Sequence, residues 1–461
     1  MHQSVKMKKM MNCHPLRCFL IVCFTLMEMQ NRRFLTMAQG RVSGVPDQEA
    51  NIVLDDIDCS LNGEYDHSNS RCKCDQGWKG ETCAVLALAA APPPKHPSRG
   101  IVPGVAVPDV PTWGGGASFE DGKWHLIVGS LAINKHNNSL AGYPCNSKII
   151  RVVSEGSNPL GPYTVAETIF PRSSWEPGLA KNPINGELIV MFFGNITDPP
   201  DIESPACVDA KEFNQEYNLT SMNTFISVSK SGSIQGPWSE PQMVQGMMNQ
   251  PNLRPRVGGY DWNCASGNPS PAFHPNGTLY AALRHNPCWE GFKTREHIGI
   301  WRADNGWDGE WTSITDQPVF GWGKGSVEEC SDANQCPSHE DPHLWWDERG
   351  AHLMTHHQNN QAIHELRGAY GWSKDGINWK YASGPLLSNT SLWDMEFEWT
   401  NGTTSSMVRR QRPSFIRDPT TGKPTHLING ADFTAHPSPT PGFWCEGCHW
   451  GSGVTLIQPL I

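Results

Sequence analysis

The chain has 461 residues. At roughly 100–200 residues per domain, this allows two to four domains, or one large repeat fold with a small companion. Hydrophobic residues make up 38% and charged ones 18%, which excludes a disordered chain. The 19 Trp against 8 Tyr, in a Gly- and Pro-rich and weakly charged sequence, point to an all-β fold. The formal net charge of −10, with no basic run, excludes a nucleic-acid binder.

The N-terminus has the pattern of a targeting segment. Lys6, Lys8, Lys9 and Arg17 give a basic start, and Cys18–Met27 is an apolar run of ten. Such a run is too short to span a bilayer and suits a signal-peptide core. Residues 1–38 are therefore predicted to be a signal peptide, cut after the small-residue site Thr36-Met37-Ala38. A retained signal anchor, giving a single-pass membrane protein, is the alternative. Loss of these residues removes six bases and one acid, moving the net charge from −10 to −15. It also removes Cys13, Cys18 and Cys23, leaving 12 of the 15 cysteines. An even number suits a disulfide set in an oxidising compartment. Sequons at Asn137, Asn195, Asn218, Asn276, Asn389 and Asn401 are candidate glycosylation sites and agree with export. A secreted, extracellular protein is expected.

Residues 39–58 lack periodicity and read as a spacer. Residues 59–83 carry four cysteines, Cys59, Cys72, Cys74 and Cys83, and end in the pattern C-x-C-x2-G-W-x-G-x2-C. That pattern resembles the C-terminal half of an EGF-like domain. Glu64 stands where the family has its third Cys, and no Cys precedes Cys59 nearby, so both partners of the 1–3 bond are missing together. The resemblance implies Cys59–Cys72 and Cys74–Cys83. A unit this small cannot bury a core of its own and would depend on those bonds. Residues 84–100, opening on an Ala/Pro-rich run, read as a semi-stiff linker, with a short helix as the alternative.

From about residue 101 to 461 a loose repeat appears. Five hairpin-like units recur, with turn glycines Gly122, Gly186, Gly277, Gly350 and Gly422 at steps of 64, 91, 73 and 72 residues. Three of these turns are Asp-Gly or Asn-Gly, strong hairpin signals. A second marker, an aromatic after Gly-Pro or Asp-Gly, follows at Tyr163, Trp238, Trp311 and Trp379; the fifth unit ends instead with Trp444 and Trp450. About 70 residues per unit fits a four-stranded blade, and closing the ring removes long exposed edges. The prediction is an all-β, five-bladed β-propeller preceded by the EGF-like module.

Propellers bind ligands where the innermost strands converge. Counting back nine or ten residues from each turn glycine gives Trp113/Gly114, Glu176, Asn268, Glu340 and Arg412, a polar set where a scaffold would carry apolar residues. Seven residues after the same glycines come Arg284 and His357, at matching positions of adjacent units. The segment Ser338-His339-Glu340-Asp341-Pro342-His343-Leu344 opens the fourth unit. It resembles the five-bladed propeller glycoside hydrolases, the arabinanase and β-xylosidase group called family 43, as does Asn268-Pro269-Ser270-Pro271-Ala272 in the third unit. The resemblance implies inverting hydrolysis with Glu340 as general acid. Glycoside cleavage uses one carboxylic acid to protonate the leaving oxygen and a second carboxylate to activate water or attack.

The family's base, an Asp in blade one, aligns here with Trp113 or Gly114. Asp109, about four residues early, is the nearest candidate, and Glu176 or Asp341 could substitute. The family's tuning Asp of blade three is Asn268, which can hydrogen-bond but cannot take a proton. Glu176, Asn268, Arg284, His343, His357 and Arg412 are expected to orient hydroxyls of a carbohydrate. No metal site and no cofactor are expected, although relatives of that family hold a channel Ca²⁺. Adjacent strand residues such as His356 and His357 face opposite ways and cannot share one ion. Cys445-Glu446-Gly447-Cys448-His449 matches a haem attachment pattern formally, but a disulfide framework explains it. Two functions follow: a secreted glycosidase, or a non-catalytic glycan-binding or adhesion protein with a degenerate active site.

Overall fold

The computed structural model describes residues 59–93, 100–102, 110–131, 147–197, 223–244, 256–257, 260–261, 265–286, 296–320, 338–358, 367–382, 391–407, 409–432 and 453–461. The expected signal peptide and spacer, Asp109, the sequons at Asn137, Asn218 and Asn389, and all eight cysteines after Cys83 lie outside them. No α-helix occurs among the described residues.

Five four-stranded sheets, four of them wholly antiparallel, follow one another along the chain. Their innermost strands are Thr112–Glu120, Ser174–Lys181, Ala265–Phe273, Ser338–Trp346 and Arg409–Arg417. The first four sheets meander outwards in chain order. The fifth takes its outermost strand from the start of the repeat region: Gly100–Val102 pairs in parallel with Val454–Pro459. The two ends of the ring are thus sewn together by backbone hydrogen bonds, which leaves no open seam between the last blade and the first.

Period-two alternation builds the ring. On Leu188–Gly194, the side chains of Leu188, Val190 and Phe192 pack against Ile127 and Ile149 of blade one. The intervening Ile189 and Met191 pack against Leu279, Ala281, Leu283 and Trp301 of blade three. Both faces of a blade are therefore buried, and its strands read as apolar runs. Further clusters join blade three to four through Ala282, Ile300, Leu344 and Leu353, and blade five to one through Ile416, Ile428, Leu126 and Val152. The five inter-blade cores close on themselves.

The EGF-like module has the two expected disulfides, Cys59–Cys72 and Cys74–Cys83. It does not stand on its two bonds alone. Trp78 enters the cleft between blades four and five, 4.9 Å from the Tyr370 ring and 6.5 Å from both Trp345 and Phe415. Cys59, Leu61, Cys83 and Leu86 share that core with Met354, Trp372, Leu427 and Leu460. Polar contacts frame it: Arg349 pairs with Asp75, and the Tyr370 hydroxyl donates to the Ser60 carbonyl at 2.8 Å.

The expected linker is also built into the ring. Ala84, Leu86, Ala87 and Ala91 are buried. Leu86 N–H donates to Leu392 O, Ala89 N–H to Pro459 O, and Ile461 N–H to Ala87 O. The alanines that suggest a spacer are there because only small side chains fit so close to a neighbouring backbone. A chain segment read alone cannot reveal this, since Ala and Pro suit a linker and a tightly laid strap equally.

Candidate functional site

Every innermost strand carries the same irregularity. The ladder slips between Trp113/Gly116, Trp175/Gly178, Gly267/Ser270, Glu340/His343 and Gln411/Ser414. At the equivalent position of each slip the backbone turns left-handed, with φ of 58° at Gly114, 54° at Glu176, 49° at Asn268, 55° at Asp341 and 50° at Arg412. Left-handed φ is uncommon for residues other than Gly. Four such residues at one structural level mark a place where local preference yields to site geometry. Blade one contributes no side chain there, for a steric reason: a Cβ on Gly114 would meet the Arg412 Cβ at 2.6 Å.

The bulges aim the four remaining side chains at one point. Asp341 is the hub. Its Oδ1 accepts from Asn268 Nδ2 at 2.5 Å, its Oδ2 accepts from the Arg412 backbone N–H at 3.2 Å, and Arg412 Nη1 lies 3.6 Å from Oδ1. His356 Nδ1 lies 3.1 Å from Asp341 Oδ2. Arg412 Nη2 donates to the Glu176 carbonyl at 2.6 Å, and its Nη1 lies 4.0 Å from the Glu176 carboxylate.

Above this floor lies a second layer. Arg284 Nη1 donates to Glu340 Oε1 at 2.6 Å and to Glu296 Oε1 at 2.8 Å. Asn268 Nδ2 also reaches Glu340 Oε1, at 3.2 Å, and His356 Nε2 lies 3.4 Å from Glu340 Oε2. Side-chain exposure separates the layers: 16% for Arg284 and Glu340, 13% for Glu296 and 11% for Glu176, against 5% for Arg412, 2% for Asp341 and none for His356. Glu340, Arg284, Glu296 and Glu176 are the members that reach solvent. The floor orients them.

The environments of the acids diverge. Burial raises Glu176, Arg412 opposes the rise, and the charges of Asp341 and Glu340 add to it, leaving Glu176 pushed up to about 8. Burial, then the charge of Glu340, raises Glu296 well above the ordinary carboxylate range. Burial also works against the Asp341 carboxylate, but the hydrogen bond and charge of His356, with Arg412 and Asn268, hold it at about 2. Groups pushed apart in this way supply a proton holder and a fixed charge in one site.

The raised acids have a stability consequence. Native Glu176 keeps a proton that the unfolded chain releases above its ordinary value of 4.5. The stability it gives is therefore complete below that value and is lost as pH rises towards 8. Thermal midpoints should fall from pH 5 to 8, and Glu176→Gln should make the fall shallower by up to about 1.4 kcal/mol per pH unit. An unchanged slope in the variant would place the proton elsewhere.

Glu340, Asp341 and His356 bring three potential metal donors within 4.8 Å of one another. Arg284 and Asn268 also contact Glu340 Oε1, and Asn268 and Arg412 contact Asp341.

The site gathers Glu176, Asn268, Arg284, Glu340, Asp341 and Arg412 of the predicted residues. Asp341 lies beneath the rim, too buried to reach substrate. His343 falls outside the site. Its ring packs 5.5 Å from Trp345 and 5.7 Å from Phe415, in the core between blades four and five, and burial, then Arg417 and Arg412, lowers its pKa to about 3. The bulge at Glu340/His343 re-aims the residues that follow it. His357 gives way to His356, which pairs with Glu340 in the ladder; the side chain of His357 is not among the described residues. Gly350 directly precedes its strand, whereas Gly277 stands one residue further back, so counting from the glycines drifts by one. Asn195 is buried and does not present its amide to a glycan, whereas Asn276 and Asn401 are exposed in turns.

Sequence reasoning missed Glu296. It precedes the strand His297–Asp304 and bears no fixed offset to any turn glycine. Its backbone is tied to blade four: Glu296 N–H donates to Ser338 Oγ at 3.0 Å, and His339 N–H donates to Glu296 O at 2.8 Å.

Residues 56–85 match the family described as the Teneurin-like EGF domain. No curated protein matches the chain in sequence. Among solved structures, the chain is similar to a thermostable family-43 glycoside hydrolase at 10% identity, covering 78% of this chain and 91% of that one, with a TM-score of 0.43. It is similar to an α-L-arabinofuranosidase from Lactobacillus brevis at 14% identity, covering 78% and 92%, TM-score 0.42. The catalytic domain of a Coprinopsis cinerea GH62 α-L-arabinofuranosidase gives 8% identity, coverage of 84% and 97%, and a TM-score of 0.45. The ladders themselves define the architecture: an EGF-like module fused into a five-bladed propeller with an ionised, salt-bridged hollow at its centre.

Proposed function

We propose that this protein is a secreted glycoside hydrolase acting on an extracellular glycan at the hollow ringed by Glu340, Arg284, Glu296 and Glu176. The observation that supports the reading most directly is the pair of solvent-facing carboxyl groups, Glu340 and Glu296, reached by one Arg284 nitrogen. Hydrolysis of a glycoside needs a carboxyl group that carries a proton beside one that carries charge. Arg284, Asn268 and His356 fix Glu340 in position, so no reorganisation is needed when substrate binds. Guanidinium and carboxyl groups at the rim suit sugar hydroxyls, which both donate and accept. The basic-apolar leader and the disulfides of the module suit export.

The stereochemical course depends on spacing. The Oε1 atoms of Glu296 and Glu340 can be no farther apart than the two Arg284 hydrogen bonds laid end to end, about 5.4 Å. Inversion needs roughly 6.5–9.5 Å between the two carboxyl groups. An inverting enzyme would therefore take its base from outside this pair, with Asp109 the candidate from the sequence, since Glu176 keeps its own proton.

A second reading, a glycan-binding protein without turnover, is favoured by one observation. Both oxygens of Glu340 are engaged, and blade one offers no carboxylate at Gly114. One experiment separates the two. Wild type and Glu340→Gln are assayed on aryl α-L-arabinofuranosides and β-D-xylosides, then on a glycan array. The glycosidase reading expects hydrolysis by wild type and a loss of about 10²–10⁴-fold in the variant, with its thermal midpoint kept. Equal turnover by both refutes the site, and array binding without hydrolysis selects the second reading.

A further inference from the structure

The geometry points to Glu296 as the proton-carrying carboxyl group of this hollow, with Glu340 as its charged partner across Arg284. The role rests on the hydrolytic reading above. The placement of the proton does not.

One guanidinium nitrogen serves two carboxyl groups, 2.8 Å from Glu296 and 2.6 Å from Glu340. Arg284 brings one positive charge to two adjacent carboxyl groups in a partly desolvated site, which favours a proton on one of them; Arg409 adds its charge at Glu340. The donors decide which. Glu340 has Asn268 Nδ2 on the same oxygen and His356 Nε2 facing the other. Among the described residues Glu296 has only Arg284: its Oε2 is buried and meets no hydrogen-bond donor there. A charged carboxylate oxygen in that position is costly, and protonation removes the charge. The surrounding charges agree. Burial and the charge of Glu340 raise the affinity of Glu296 for its proton, Arg284 opposes them, and Asp341 and Glu176 add to the rise.

The backbone makes this group a fixed donor. Glu296 is held by Ser338 Oγ and by the His339 N–H, the two residues before Glu340, so both carboxyl groups move as one body. In the reaction, the Glu296 O–H gives its proton to the glycosidic oxygen as the bond from the anomeric carbon to that oxygen breaks. Water supplies the hydroxyl group to the anomeric carbon, and its remaining proton returns to Glu296. Arg284 stabilises the Glu296 carboxylate formed in between.

The test has two arms on the full chain. In the first, the protein is labelled with ¹³C at the glutamate side-chain carboxyls and titrated by NMR. Two glutamate signals are expected to titrate well above the ordinary glutamate range; Glu296→Gln removes one, and Glu176→Gln removes the other. A Glu296 signal that titrates with the ordinary glutamates would overturn the assignment. If Glu296→Gln does not fold, the wild-type titration still decides, because Glu176→Gln assigns the remaining signal.

The second arm compares leaving groups. Glu296→Gln should slow a phenyl glycoside by about 10²–10⁴-fold but a dinitrophenyl glycoside, whose leaving group needs no proton, by less than about tenfold. Equal losses on both would remove Glu296 from the donor role. If wild type cleaves neither, the hydrolytic reading fails, while the NMR arm still decides where the proton sits.

Discussion

Trp78→Ala should destabilise the whole propeller, not only the N-terminal module, by about 3–5 kcal/mol. Trp78 is 7% exposed and sits among Trp345, Tyr370 and Phe415, which belong to blades four and five. Truncation removes the largest apolar group from that cleft and leaves a cavity that these rigid aromatic neighbours cannot fill. Cys59, Leu61 and Leu86 would lose their anchor at the same time. Urea unfolding followed by tryptophan fluorescence and by far-UV circular dichroism checks the prediction. Both probes should shift together in the variant. A propeller transition left at its wild-type midpoint would show that the module folds apart from the ring.

Asp341→Ala should cost a similar 3–5 kcal/mol, for an electrostatic reason. Arg412 and His356, both buried against Asp341, would be left with an uncompensated charge and unanswered donors. Asp341→Asn is the gentler variant, since an amide oxygen still accepts from Asn268 and Arg412. The wild-type carboxylate also ties stability to acid pH. Its folded value of about 2 lies below the ordinary 3.8, so its contribution is present above the ordinary value and is lost as pH falls through 2. That contribution is about 2 kcal/mol. Denaturation midpoints measured from pH 6 down to 2 should show this acid limb in wild type and lose it in Asp341→Asn. A limb of equal depth in both would mean that another carboxylate carries the linkage. With Glu176 and Glu296 weakening the fold as pH rises, stability should peak in mildly acidic solution.

These expectations share one structural cause. Burial of the Asp341 carboxylate is tolerated because it has partners on three blades: Asn268 from the third, His356 from its own sheet and Arg412 from the fifth. The hollow is thus a product of ring closure. Residues 84–93 lie along the ring, and Gly100–Val102 completes blade five.

The all-β class, the five repeats and the neighbourhood of Glu340 were legible in the linear chain, and the resemblance to an EGF-like domain implied the two disulfides of the module. Those features are local. Turn glycines, strand periodicity and cysteine spacing act over a few residues, so their signals survive in a linear reading. It also located the positions of Glu176, Asn268 and Arg412, because each lies a nearly constant distance before its turn glycine.

The tertiary structure alone decided the rest. A single residue's difference in turn length exchanges His357 for His356, since neighbouring strand positions face opposite sides. His343 belongs to a core because a bulge rotates the strand just before it. Glu296 joins the site only through hydrogen bonds to blade four, and the alanines after Cys83 become a strap only because the chain's C-terminal strand lies beside them. Each of these outcomes depends on contacts between residues far apart in the chain, formed when the ring closes, and no local pattern encodes such contacts.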